Sequence, residues 1–190
     1  MREDIKKIIN GEEKQILIRT TNFRKPYIIL SGSFNPFHIG HNNLLTAAEK
    51  LSGRNGILEL SIYNVDKLKI NDEKIMNRIS KMPKDYSILL SRNATFIEKA
   101  ESNPEAWFVV GFDTALRLFD KKYHTNVDKI FEKYVDLDVK FLVGGRKKGD
   151  SFLTLNDLNI PKELQHIFID IPEKLFREDI SSTDIRNNLS

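Results

Sequence analysis

Short apolar runs alternate with stretches of helical spacing along most of this chain. Tyr27-Ile-Ile-Leu30 is an apolar run that reads as a strand, and Trp107-Phe-Val-Val110 is continuously apolar, the mark of a strand buried on both faces. Ile57-Leu-Glu-Leu-Ser-Ile-Tyr63 mixes apolar continuity with alternation and reads as another strand. Tyr86–Leu90 and Val139–Val143 are further strand candidates, and Glu163–Ile171 contains a last one. Between them the spacing becomes helical over Asn42–Leu51, Glu73–Met82, Thr95–Ser102, Thr114–Phe119 and Val127–Tyr134. Punctuation agrees: Pro83 stops the second of these helices, Asn103-Pro104 the third, and Gly53-Arg-Asn-Gly56 marks a turn after the first. Asn64–Lys69 reads as a polar loop and Ile180–Arg186 as a short closing helix. Residues 1–26 form a lead-in, with a short amphipathic helix (Ile5, Ile8, Ile9) and a short strand at Gln15–Arg19.

Strands and helices that alternate at short spacing predict a parallel sheet with helices on both faces. The expected fold is α/β: a single Rossmann-like, doubly wound domain over 27–190, preceded by an N-terminal extension over 1–26. Ligands in such folds sit beyond the carboxyl ends of the strands, where the strand order switches. The strands ending at Leu30, Val110 and Val143 each run into polar, glycine-containing segments, so these three are expected to converge on one crevice.

Composition narrows the class. A length of 190 residues suits one domain with a real core, and 40% hydrophobic with 30% charged residues is ordinary for a soluble protein. No stretch approaches the roughly 20 apolar residues needed to cross a bilayer. The first residues, Met1-Arg-Glu-Asp-Ile-Lys-Lys7, carry acidic groups and no apolar core, unlike a signal peptide. The absence of cysteine excludes disulfides, thiolate metal sites and Cys nucleophiles, and fits a cytoplasmic location. The net charge of +3 (30 basic, 27 acidic residues) is small and dispersed, so the expected partners are small molecules, not nucleic acid or membrane.

Candidate chemistry concentrates in Ser31-Gly-Ser-Phe-Asn-Pro-Phe-His-Ile-Gly-His41. His38 and His41 stand three apart at a helix start and can share a face. A helix N-terminus offers free N–H groups and partial positive charge, a natural anion site. Gly32, Ser33, Phe34, Asn35 and Gly40 complete that turn, and Gly40 lets a ligand approach the backbone. The alternative, two histidines that cap the helix locally, is weakened because two of the chain's four histidines fall in this window. A metal is not indicated, since a His pair lacks a third ligand.

Ser181-Ser-Thr-Asp-Ile-Arg186 is a second anion candidate: Ser181, Ser182 and Thr183 with Arg186 one turn on, although Ser181 with Asp184 equally forms a capping-box variant. Gly111-x-Asp113 follows a buried strand, and Asp113 either accepts from ribose hydroxyls or caps the next helix. Arg146, in the Gly- and Lys-rich loop Gly144–Gly149, can reach phosphate or a base. Lys67, Lys69 and Arg78 add positive charge.

Taken together, Gly32–His41 and Ile180–Arg186 resemble the nucleotidyltransferase superfamily with its HxGH core, and most closely the nicotinate and nicotinamide mononucleotide adenylyltransferases. The likeness runs over about residues 27–187, with Lys67, Lys69, Arg78 and Met82, Gly111-x-Asp113 and Val143-x-x-Arg146 as ordered landmarks. It implies transfer of AMP from ATP, with Mg²⁺ bridging the phosphates, to nicotinamide or nicotinate mononucleotide, and release of pyrophosphate. It implies catalytic roles for His38, His41 and Arg186. ATP or phosphate contacts are implied for Gly32, Ser33, Phe34, Asn35, Gly40, Gly111, Asp113, Arg146, Ser181, Ser182 and Thr183, and acceptor contacts for Lys67, Lys69 and Arg78. The chain departs from the family in three places. Family members often carry Trp shortly after GxD, where this chain reads Leu116-Arg-Leu-Phe-Asp-Lys-Lys-Tyr123, and its one Trp is Trp107. They also begin closer to the first strand and continue further beyond the last arginine. These differences suggest a divergent branch and keep three alternatives open: another phosphorylated acceptor, CTP as donor, or a non-catalytic nucleotide-binding module. An oligomer is compatible with all of them.

Overall fold

The computed structural model describes residues 1–21, 23–63, 71–119 and 127–177. In chain order the elements are α1 (Arg2–Asn10), β1 (Gln15–Arg19), β2 (Tyr27–Gly32), α2 (Ile39–Ser52), β3 (Asn55–Ser61), α3 (Asp72–Ser80), β4 (Ser87–Ser91), α4 (Phe96–Ser102), β5 (Trp107–Gly111), α5 (Phe112–Leu118), α6 (Val127–Asp136), β6 (Lys140–Gly144), β7 (Arg146–Lys148), β8 (Ser151–Leu153) and β9 (Phe168–Ile171). Two 3₁₀ segments, Leu155–Asp157 and Lys162–Ile167, lead into β9.

Local chemistry accounts for where the helices begin and end. Asn71 caps α3 by accepting the Lys74 N–H at 3.1 Å. Thr95 and Glu98 form a capping box at the start of α4, with Glu98 accepting the Thr95 N–H at 2.8 Å. Helix α2 ends where Gly53 turns left-handed (φ 68°), a conformation that glycine adopts without a Cβ penalty.

Seven strands form one sheet in the order β1-β4-β3-β2-β5-β6-β9. From β2 the chain steps outward through β3 to β4, then returns to place β5 on the other side of β2, followed by β6 and β9. All these neighbours are parallel. The strand order therefore reverses between β2 and β5, which pair with Leu30 beside Val109. The expected doubly wound α/β sheet is present, with one exception to its parallel character. The first strand, β1, joins the edge antiparallel to β4.

Side chains alternate across the sheet with the two-residue period of a strand. Ile28, Leu30, Leu58, Leu60, Ile88, Leu90, Val109 and Leu142 face one way and pack with Leu44, Leu45, Ala48, Ile75 and Ile79 of α2 and α3. Ile29, Ile57, Leu89, Phe108, Val110, Phe141 and Val143 face the other way and meet Ala100, Ala115, Phe131 and Tyr134 of α4, α5 and α6. Residues 1–19 join the same body: Ile5 and Ile8 of α1 are fully buried in the first of these clusters. A nine-residue helix is marginal in isolation. Burying two such side chains contributes about 1.5–3 kcal/mol each, which holds α1 to the sheet.

One local expectation is corrected. The expected loop Gly144–Gly149 instead contains the first strand of a hairpin, in which β7 pairs antiparallel with β8, Lys147 opposite Phe152. The charged residues of β7 are exposed, so their polarity hid the strand from any reading based on apolar pattern.

Candidate active site at the strand-order switch

The chain leaves β2 at Gly32 and enters α2 at Ile39, beside the point where the strand order reverses. His38 is the N-cap of α2, in extended conformation (φ −145°, ψ 172°), and His41 is the third helical residue. The His38 N–H donates to Nδ1 of His41 at 3.2 Å, and the His41 N–H donates to the His38 carbonyl at 3.0 Å. His41 thus fills the place that Glu or Gln takes in a capping box. Because Nδ1 accepts, the proton of neutral His41 resides on Nε2. The imidazole packs edge-on to Phe34 at 5.1 Å, against Phe37 at 5.4 Å and against His38 at 3.8 Å between ring centres. Burial, reinforced by the neighbouring His38, pushes the His41 pKa down to about 3. The site therefore presents a neutral imidazole whose remaining N–H is available as a donor.

Packing shapes the rest of this turn. Phe34 is 2% exposed and held at φ 40°, a sparsely populated region for a residue with a side chain. Its ring covers Gly32, where an added Cβ would come within 2.9 Å of Phe34 Cε1. Gly32 and Phe34, both expected at the phosphate site, are packed on one another. The Ser33 carbonyl accepts a hydrogen bond from Arg78 Nη1 at 2.8 Å. Arg78, expected to meet an acceptor, thus ties the loop to α3. Asn35 is exposed and Gly40 is buried in the first turn of α2.

The neighbouring strands supply the other wall. Gly111 ends β5 and is the N-cap of α5, so Asp113 lies within the first turn and is not the helix cap. A Cβ on Gly111 would meet no atom within 4 Å, so the space beside it is open. Asp113 forms an ion pair with Arg146, and each side chain is about half exposed (48% and 50%). The candidates that follow β5 and β6 are therefore joined directly. At the end of β6, Gly144 lies against Leu44 of α2 and Phe176.

Reading the chain for motifs passed over one group. Glu59 of β3 and Lys99 of α4 are 1% and 3% exposed and pair at 2.6 Å, with Ser31 donating to the same carboxylate. The available signal was a carboxylate inside the apolar run Leu58-Glu-Leu60. Lys67, Lys69, Ser181, Ser182, Thr183 and Arg186, with the helix expected over Ile180–Arg186, lie outside the described residues. Among the described residues, no group of three His, Cys, Asp or Glu gathers in a metal-binding arrangement, and no helix is long and apolar enough to cross a membrane.

Comparison with known proteins bears on this arrangement. Residues 29–188 match the cytidylyltransferase-like family. A protein of Schizosaccharomyces pombe named "Putative nicotinamide mononucleotide adenylyltransferase" is 32% identical over 127 residues, covering 60% of this chain and 50% of its own length. The chain thus spans half the length of that relative. A protein of Sulfurimonas denitrificans named "Probable nicotinate-nucleotide adenylyltransferase" is 26% identical over 179 residues, covering 85% of this chain and 84% of its own length. The match begins in β2 and includes every later strand of the sheet, so the switch point and the histidine-bearing turn fall within it, while α1 and β1 precede it. The chain belongs to the cytidylyltransferase-like family, within the nucleotidyltransferase superfamily that its two motifs resemble.

Proposed function

We propose that this protein transfers AMP from ATP to the phosphate of nicotinamide or nicotinate mononucleotide and releases pyrophosphate. The observation that carries the reading is the His38–His41 pair, set by its own capping bonds at the start of α2 beside the strand-order switch. The names of the two relatives support the acceptor.

In this reading an oxygen of the acceptor phosphate attacks the α-phosphorus of ATP. The new P–O bond forms as the bond to the bridging oxygen breaks, and pyrophosphate departs. No covalent enzyme intermediate is required, so catalysis is positioning and charge stabilisation. His41 donates from Nε2 to the triphosphate, aided by His38 and the free N–H groups of α2. Arg186, Ser181, Ser182 and Thr183 close on the triphosphate from the second motif. Asp113, set by Arg146, meets ribose beside the open face of Gly111. Lys67 and Lys69 serve the acceptor. Mg²⁺, which dehydrates reluctantly, would enter with the triphosphate and would supply neutralisation of its negative charge. The imidazoles are donors fitted to phosphate, and the Asp113 carboxylate, already paired to Arg146, is an acceptor fitted to ribose hydroxyls.

The test is pyrophosphate release from ATP with each mononucleotide. Absence of turnover with both overturns the proposed acceptors. A second reading, CTP as donor or another phosphorylated acceptor, is favoured by one observation. Trp107 begins β5, at the end of the strand opposite the site, and lies between Arg54 at 3.8 Å and Lys140 at 4.8 Å. No aromatic residue in α5 takes its place at Gly111–Leu118 beyond Phe112, which is buried. Substituting CTP for ATP and screening phosphomonoesters in the same assay separates the two readings.

A further inference from the structure

The apolar face of the sheet under α4 is interrupted at the carboxyl ends of β2 and β3. Deeper on this face lie Ile29, Ile57, Leu89 and Phe108, all buried. Two residues further along the same strands stand Ser31 and Glu59, and Ser61 follows two beyond Glu59, with Lys99 of α4 laid over them. Lys99 Nζ donates to Glu59 Oε1 at 2.6 Å and to Ser61 Oγ at 2.6 Å, and Ser31 Oγ donates to Glu59 Oε2. Each carboxylate oxygen thus has its own donor. Ser31 and Glu59 are register partners on neighbouring parallel strands.

A buried ion pair is weak evidence for stability, because desolvation offsets most of the attraction and apolar side chains of similar size often serve as well. What such a network does supply is direction: two strands and a helix held at fixed hydrogen-bond lengths. The place where it does so is informative. Ser31 is the penultimate residue of β2, and the turn that carries both histidines begins two residues later. On the opposite face Arg78 of α3 grips the Ser33 carbonyl at 2.8 Å. The turn is therefore held from both faces of the sheet just as it departs.

We propose that the buried Ser31–Glu59–Lys99–Ser61 chain is a positioning device that sets the exit of the histidine-bearing turn, and through it the placement of His38 and His41. Its residues touch no substrate. The inference rests on the proposed adenylyl transfer for its effect on rate, and on geometry alone for its effect on the imidazoles.

The experiment compares the wild-type chain with Ser31→Ala, Ser31→Thr and the double variant Glu59→Leu/Lys99→Met. Each is followed by thermal denaturation, by pyrophosphate release and by the imidazole NMR signals of His38 and His41. Ser31→Ala is expected to lower kcat by about 10-fold to 10²-fold, the scale of a small misplacement of reacting groups, with little change in KM for ATP. The imidazole signals shift in Ser31→Ala and return in Ser31→Thr, which keeps the hydroxyl. The double variant folds with a melting temperature near that of the wild type yet stays as slow as Ser31→Ala. Wild-type kcat in the folded double variant overturns the proposal, since the network is then only structural. If the double variant does not fold, the two Ser31 variants decide: imidazole signals unmoved by Ser31→Ala overturn the proposal whatever the activity. A wild-type chain inactive with every donor and acceptor overturns the functional reading instead and leaves the NMR comparison to judge the network.

Discussion

Nη1 of Arg78 donates to the carbonyl of Ser33 at 2.8 Å, across 45 residues of sequence. A charged donor on a backbone carbonyl contributes about 1.5–3 kcal/mol, and here that energy is spent on the turn preceding both histidines. Arg78→Ala is expected to reduce kcat/KM by about 10-fold or more and to loosen that turn. Arg78→Lys, with a compact ammonium in place of the planar fork, recovers only part of the loss. Steady-state kinetics on both variants checks this, and an unaltered kcat/KM in Arg78→Ala refutes it.

His41 links the site to pH. Its pKa is lowered by burial and by His38 from the usual 6.5 to about 3. The unfolded chain takes up a proton at His41 near pH 6.5, and the folded chain resists until about pH 3. The associated stability is therefore complete above pH 6.5 and is lost as pH falls through that window, at up to about 1.4 kcal/mol per pH unit. His41→Asn should flatten the acid side of the stability curve measured by chemical denaturation. The NMR signals of wild-type His41 should report a neutral ring protonated at Nε2 at pH 5; an imidazolium at that pH contradicts the geometry.

Turnover offers a more direct reading of the same side chain. His41→Ala is expected to lower kcat by on the order of 10²-fold or more, as for removal of one preorganised donor to developing charge. A variant with full kcat/KM would mean that chemistry occurs elsewhere.

Two glycines at strand ends should respond in opposite ways. A Cβ at Gly111 meets no atom within 4 Å, so Gly111→Ala should fold normally and raise KM for the nucleotide. A Cβ at Gly144 comes within 2.4 Å of Leu44 Cδ1 and 3.1 Å of Phe176, so Gly144→Ala should destabilise by about 1–3 kcal/mol. Melting curves together with nucleotide titrations distinguish a residue that faces a ligand from one that faces the core. Equal melting losses in both variants would remove the case for an open face at Gly111.

The Asp113–Arg146 pair is half exposed, so its worth in stability is about 1 kcal/mol or less. Asp113→Asn should leave the melting temperature nearly unchanged and weaken ATP binding by about 10-fold, the loss of a charged hydrogen-bond acceptor. A double-mutant cycle with Arg146→Gln, read by calorimetric ATP titration, should show coupling between the two positions. Additive effects would mean that the residues act separately.

Much of this was legible from the chain itself, because the rules involved are local. Alternating apolar runs and helical spacings revealed the α/β order, and nearly every strand and helix on the described residues falls within a few residues of its expected place. Pro83 and Asn103-Pro104 announce helix ends, Gly53 a turn, and His38 with His41 a helix start. Two features resisted. The β7–β8 hairpin carries exposed charge on its first strand, so it has no apolar period to read. For Asp113 the chain allows either a ribose acceptor or a helix cap, and only the structure gives the cap position to Gly111.

Sequence by itself determined the succession of elements, the two-faced burial of the central strands and the placing of two histidines at a helix start. These follow from periods of two and 3.6 residues and from capping chemistry, all of which act over a few residues. Tertiary structure alone decided that β5 returns beside β2, that β1 runs antiparallel at the edge, and that Arg78 reaches Ser33, Arg146 reaches Asp113 and Lys99 reaches Glu59. These pairings join residues 33 to 45 positions apart, and no local period encodes them. They follow from strand order, which is settled only when both faces of the sheet find helices to cover them.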